Sequence, residues 1–231
     1  MSSRRQEPEF VLRPLTPVRK AVAERVSVSC RSIPQFDLHL EAEAVALKTA
    51  REAYKAAGKA RVPGYNDMII YCCARMLEKH RALNAHYTAE GIREFAGVNI
   101  GFAVATDQGV LLPVIREAET KSLAEITGEA AELSALARRL KLRASFQMHG
   151  TFTVSSLGSL GVEAFNAVIS PPQVAVLAAG AVIEKPRVKA GSVIPVPVLH
   201  LTLTVDHRAV DGADAAAALA DLKEALENFG E

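Results

Sequence analysis

The sequence has no excess of charge of either sign. Lys and Arg number 27 against 26 Asp and Glu, a formal net charge of +1 over 231 residues. Nucleic-acid binders ordinarily carry a basic surplus to meet phosphates, so the overall balance argues against that class of partner. No uncharged apolar run reaches the roughly 18–20 residues that cross a bilayer, so no membrane span is expected. The opening MSSRRQEPEF has no apolar stretch behind its arginines and does not read as a secretory signal. Cysteine is sparse and odd in number, at Cys30, Cys72 and Cys73, with the last two adjacent. This argues against a disulfide framework and for a reducing compartment, the cytoplasm or a mitochondrial matrix. No cysteine–histidine cluster has zinc spacing, and no metal is expected. Internal repeats and low-complexity segments are missing as well.

What remains is ordinary globular composition, 49% hydrophobic and 23% charged. Residues 1–13 are polar and proline-flanked and read as a tail or linker; residues 14–231 can bury a full core as one domain. Thr16-Pro17 opens a helix, with Val18, Ala21, Val22 and Val26 at helical spacing. Phe36, Leu38, Leu40 and Ala42 alternate with charged or polar residues, the pattern of a half-buried strand. Helices are expected over 44–60, from a cap at Asn66 or Asp67 to about Leu77, over 122–140 from Ser122, and over 212–228. The second of these, apolar on most sides, belongs inside the core, and its two cysteines read as packing residues. A turn at 89–91 joins short strands. Further strands are expected at 98–106, 110–115, 151–155, 164–169, 173–182 and 198–206. Strands and helices mix without strict βαβ alternation, which predicts a single α/β domain on a mixed β-sheet with flanking helices.

Chemistry concentrates in the segment from Leu201 to Gly212, LTLTVDHRAVDG. An alternating strand ends at a polar cluster and passes into a helix, so His207 stands on a strand end and Asp211 at the mouth of the helix. Taken alone, a strand-end histidine is more often structural than catalytic, and helix capping explains Asp211. The spacing His-x-x-x-Asp-Gly arises by chance in only a few per cent of chains this size. The other five histidines show no partner spacing.

The flanks raise the signal. Asp206 to Gly212 (DHRAVDG) resembles the signature of the catalytic domain of dihydrolipoamide acyltransferases, the E2 components of 2-oxo acid dehydrogenase complexes. Gly150 to Gly158 (GTFTVSSLG) and Ser170 to Gly180 (SPPQVAVLAAG) resemble two further signatures of that family. The segments Asn99–Thr106, Gly109–Ile115 and Pro14–Arg25 resemble it also. The matches run in order from about residue 14 to the C-terminus. Chloramphenicol acetyltransferase shares the fold, but its signature has two adjacent histidines where this chain has Asp206 before His207.

The resemblance implies transfer of an acyl group between a dihydrolipoyl arm and coenzyme A. A thiol near pKa 8.5 needs a base to become the attacking thiolate, and an imidazole is suited to that task. His207 matches the family's base and Ser155 the hydroxyl that donates to the oxyanion of the tetrahedral intermediate, although Ser156 stands where many relatives have asparagine. Asp211 matches a buried carboxylate that orients the site, paired with Arg19 early in the first helix. The resemblance also implies a homotrimer in which the histidine of one chain meets the serine of its neighbour, with coenzyme A and the lipoyl arm entering from opposite ends of a channel. Lys185, Arg187 and Lys189 are candidates for the coenzyme A phosphates, against the plainer reading of a solvated charge run. The lipoyl group is expected from a lipoyl domain, in trans or on a part missing from this chain, and the dehydrogenase E1 and E3 components are expected partners. The sequence stops soon after the last helix, at Phe229-Gly-Glu231, without the apolar hook that joins trimers in family cages. The expectation is therefore a discrete trimer of about 75 kDa and no cage. Two rival readings are a stand-alone coenzyme A-dependent acyltransferase with a small-molecule acceptor and a non-catalytic trimeric scaffold.

Overall fold

The computed structural model describes residues 9–230, so most of the expected tail and Glu231 lie outside the described residues. From Glu9 to Thr16 the chain has no regular structure, and α1 (Pro17–Ser32) follows. Thr16 caps it by accepting a hydrogen bond from the Arg19 amide at 3.2 Å, with Pro17 in the first turn. Only Ser29 of this helix is buried, so the apolar stripe on α1 packs against no core.

The remainder forms one α/β domain on a mixed six-stranded sheet, in the order β1 (Gln35–Glu43), β10 (Ser192–Asp206), β9 (Ala175–Lys189), β8 (Phe152–Ser156), β4 (Ile100–Phe102), β7 (Val114–Ile115). Pairing is antiparallel except for β9–β8 and β8–β4, which are parallel. The alternation in β1 sets its two faces. Phe36, Leu38 and Leu40 pack on the core, whereas Asp37, His39 and Glu41 bond across the other face to Thr204, Thr202 and the Lys185–Arg187 pair. Helices α2 (Val45–Ala56), α3 (Tyr65–Lys79), α4 (Leu123–Arg138) and α5 (Gly212–Glu227) cover the core side. Eight residues of α3 are buried, among them both cysteines; burial pushes the Cys72 thiol up to about 12 and Cys73 well above its ordinary value, as packing residues require.

Several expected boundaries move. Helix α3 is capped at Gly64, not at Asn66 or Asp67; the Asp67 carboxylate sits in the first turn and accepts from the Gly64 amide at 2.8 Å. The strand expected at 98–106 divides at Ala103. Its second part, β5 (Val104–Thr106), leaves the main sheet to pair with β6 (Gly109–Leu111), and Pro113, which has no amide to donate, separates β6 from β7. Ala85–Thr88 (β2) and Gly91–Glu94 (β3) form the expected hairpin.

The strand expected at 164–169 does not exist. That segment is an extended crossover from β8 to β9, lying across the sheet face and bonded to it by side chains. Asn166 donates to Asp37, and the Gln35 side chain accepts from the Ile169 amide at 3.2 Å. In contrast, β9 and β10 run well past their expected ends into a long hairpin closed at Ala190-Gly191, both with positive φ (48° and 80°). Two left-handed residues make the tight turn whose twist matches the strands.

Candidate active site

His207 is the first residue after β10. Its amide donates to the Pro34 carbonyl at 3.0 Å, which ties it to the start of β1, and its ring packs against Phe36 with centroids 4.4 Å apart and planes inclined by 40°. One face of the imidazole is thus fixed, yet the side chain remains 54% exposed. The preceding residue, Asp206, is fully buried; the following residue, Arg208, grips its carboxylate through Nε (2.9 Å) and Nη2 (2.7 Å). Asp211 is the N-cap of α5 but makes no side-chain cap bond; its Oδ1 lies 3.9 Å from Nδ1 of His207, in reach of a protonated ring.

Ser155 lies near the end of β8, between two clefts. One, of about 750 Å³, lies under α1 and is walled chiefly by apolar groups such as Val18, Val22, Leu111 and Ile169. The other, of about 1050 Å³, runs past Ser156 and the Gly158–Leu160 turn and has Arg61 and Arg138 on its wall. Among the described residues the Ser155 hydroxyl has no hydrogen-bond partner, so it is free to donate. The turn beyond it is held by close backbone approach. A Cβ on Gly180 would fall 1.7 Å from the Glu163 carbonyl oxygen, and one on Gly158 would fall 2.4 Å from that of Gly180. Only glycine allows the crossover to lie this near β9.

Ser155 and His207 do not meet within one chain. Ser155 pairs with Ala178 on β9, and Ala178 with Thr202 on β10, five residues short of His207. Two strand spacings and five residues of rise separate them by roughly 20 Å. Neither cleft beside Ser155 is walled by His207.

The expected Asp211–Arg19 pair is likewise not formed within the chain, and Asp211 is not buried: its side chain is 84% exposed. The reason is the length of α1. Arg19 occupies the first turn, beside Gly109, whereas His207 docks at Pro34 just past the far end, about 20 Å along the helix. The three coenzyme A candidates are also committed elsewhere. Lys185 pairs with Glu41 and Glu163, Arg187 with Glu41, and Lys189 with Glu43, and the two cations hold the Glu41 carboxyl below its ordinary range. They stitch β9 to β1 and the crossover.

Sequence reasoning missed Arg61 and Arg138, which carried no motif, and the roles of Asp206 and Arg208, which were visible only as flanks of the histidine. It also missed that His80 has a carboxylate partner, Asp221 at 2.9 Å, which lines neither cleft.

The chain belongs to the family of 2-oxoacid dehydrogenase acyltransferases (catalytic domain), whose model matches residues 7–231. It is 34% identical over 227 residues to the dihydrolipoyllysine-residue acetyltransferase component of the pyruvate dehydrogenase complex of Rickettsia bellii, covering 97% of this chain and 54% of that protein. The chain therefore spans about half the length of such relatives. Among solved structures it is similar to the dihydrolipoamide acetyltransferase of Azotobacter vinelandii, crystallised to investigate a serine, a histidine and an asparagine in its catalytic mechanism. The two share 31% identity with a TM-score of 0.92 over 96% of this chain and 93% of that one. The cubic core of a pyruvate dehydrogenase multienzyme complex matches at 32% identity and a TM-score of 0.92, over 98% and 94% of the two chains. Chloramphenicol acetyltransferase, at 16% identity and a TM-score of 0.57 over 94% and 96%, shares the fold alone.

Proposed function

We propose that this chain transfers an acyl group between a dihydrolipoyl arm and coenzyme A, at a site completed by two copies of the chain. The observation that carries the reading is an interval. In the Azotobacter vinelandii enzyme the serine precedes the histidine by 52 positions and the asparagine follows it by four. Ser155, His207 and Asp211 have the same spacing here (207 less 155, and 211 less 207), with an aspartate in the asparagine's place. Residues about 20 Å apart in one chain act on one substrate only if each meets the other's counterpart on a neighbour. A closed ring of three satisfies this at every site. Arg19 lies on the Ser155 half and Asp211 on the His207 half, so their pair also forms across that junction.

The chemistry follows from the groups. His207 takes the proton of the attacking thiol, and the thiolate adds to the thioester carbonyl. Ser155 donates its free hydroxyl to the oxyanion, a contact worth roughly 3 kcal/mol when it is made in the transition state. On collapse His207 returns the proton to the departing thiol. Coenzyme A carries phosphates and fits the cleft with Arg61 and Arg138, which have no carboxylate partner among the described residues. The dithiol arm is uncharged and fits the apolar cleft under α1. These two assignments replace Lys185, Arg187 and Lys189 as the phosphate contacts. The lipoyl group comes from a lipoyl domain elsewhere, and dehydrogenase components E1 and E3 act before and after this step. Among the described residues no helix is long and apolar enough to cross a membrane.

The test is complementation. His207→Ala and Ser155→Ala chains, each slowed roughly a hundredfold with dihydrolipoamide and acetyl-coenzyme A, are co-expressed so that trimers mix. A quarter of the sites in random mixtures join two intact halves, so activity is expected to return to about 25% of wild type. No recovery in mixed trimers defeats the shared site, and a wild-type chain without acyl transfer defeats the activity.

A further inference from the structure

We propose that Arg208 and Tyr87 are positioning residues, which fix the angle of the His207 imidazole through the buried carboxylate of Asp206. This rests on the reading of His207 as the base. Asp206 is 0% exposed, and a buried carboxylate persists only when it is paired and hydrogen-bonded. Its partners all come from the residue on the far side of His207: the Arg208 amide at 3.0 Å, Nε at 2.9 Å and Nη2 at 2.7 Å. The Asp206 carbonyl accepts from the amides of Ala209 and Val210, both at 3.0 Å. His207 is therefore the apex of a turn whose two sides are bonded to each other, and its own amide is pinned to Pro34.

The guanidinium is held in turn. It lies 4.0 Å over the Tyr87 ring, and the Tyr87 amide donates to Pro172 at 2.9 Å, so β2 presents a fixed aromatic face. The fork that grips Asp206 thus keeps a single rotamer. The clamp satisfies the buried carboxylate, while the elements on either side of it have anchors of their own. Helix α5 is anchored by Ala215, Leu219, Leu222 and Leu226, and β10 by ladders on both sides. What the clamp sets is the direction in which the imidazole leaves the strand. An error of about 1 Å in such a direction can cost on the order of a hundredfold in rate.

Arg208→Lys keeps the charge and loses the planar fork. Its kcat is expected to fall at least about tenfold, with KM for coenzyme A and for dihydrolipoamide within about twofold of wild type and the trimer intact. Tyr87→Phe retains the aromatic face and most of the rate, whereas Tyr87→Ala loses several-fold. The decisive measurement puts Arg208→Lys into the His207→Ala background. A residue that works only through the imidazole costs nothing further there, while an independent structural or binding role costs the same factor again. Multiplying losses, or an Arg208→Lys variant at the wild-type rate, overturn the proposal and leave the base in place. A fully active His207→Ala variant overturns the functional reading itself.

Discussion

The two halves of the site are built in opposite ways. At the His207 end everything is over-determined: a strand paired on both sides, an ion pair to a buried carboxylate across the turn, a ring to pack on and a backbone hydrogen bond at the apex. At the Ser155 end the hydroxyl stands unpartnered between two open clefts, and the helix that roofs one of them buries a single residue. A base must present one nitrogen at one angle and so needs rigid support. An oxyanion donor at the meeting point of two channels must leave room for two substrates and for the neighbour that closes the site. In the proposed shared site the rigid half is complete in one chain and a neighbour closes the open half.

Removing each functional group separates these roles. His207→Ala is expected to give the largest effect, a fall in turnover of at least roughly a hundredfold, as loss of a general base does. Because the ring is more than half exposed, the melting temperature is expected to move little. A variant that keeps near-normal acyl transfer denies His207 the role. Ser155→Ala is expected to follow, with kcat down by about a hundredfold and coenzyme A binding nearly intact, because the hydroxyl acts on charge that develops only in the transition state. A loss confined to coenzyme A affinity, measured by calorimetry, would make Ser155 a binding residue and erase the contrast.

The same asymmetry decided what could be read from the sequence. The rigid end was legible: strict alternation up to Asp206 and a helix signal at Asp211-Gly212 put His207 at a strand end without any coordinates. Its clamp was not, because nothing in DHR says that the outer two residues bond to each other around the middle one. The sheet was legible wherever one face is polar. It was misread at 164–169, a mostly apolar stretch (AFNAVI) that lies across the sheet and is not a member of it. The hairpin arm between the expected strand ends at 182 and 198 carries Pro186, Pro195 and Pro197, which have no ladder amide to donate. Pro186 and Pro195 face each other on a ribbon that extends past the end of β1, where proline is tolerated. The open end was the least legible. Cations at 61 and 138 come together only through tertiary packing of the α3 approach against α4, whereas the conspicuous run at 185–189 is spent on β1 carboxylates.

That redistribution of charge supplies the smallest and most discriminating effect. If the wider cleft receives coenzyme A, its phosphates meet Arg61 and Arg138, both exposed and without carboxylate partners among the described residues. Exposed cations contribute modestly and are screened by salt, at a length of about 8 Å at physiological ionic strength. The double variant Arg61→Gln, Arg138→Gln is therefore expected to raise KM for coenzyme A by about tenfold at low salt, with the difference shrinking as salt is added. KM for dihydrolipoamide and kcat are expected to stay put, since the uncharged arm enters under α1. Replacing Lys185 and Lys189 by Gln is the control. Each already neutralises a carboxylate, so coenzyme A should not register the loss, although β9 and β1 are held together less firmly. If the lysine variants raise KM and the arginine variants do not, coenzyme A enters along the hairpin face and not through the cleft of Arg61 and Arg138.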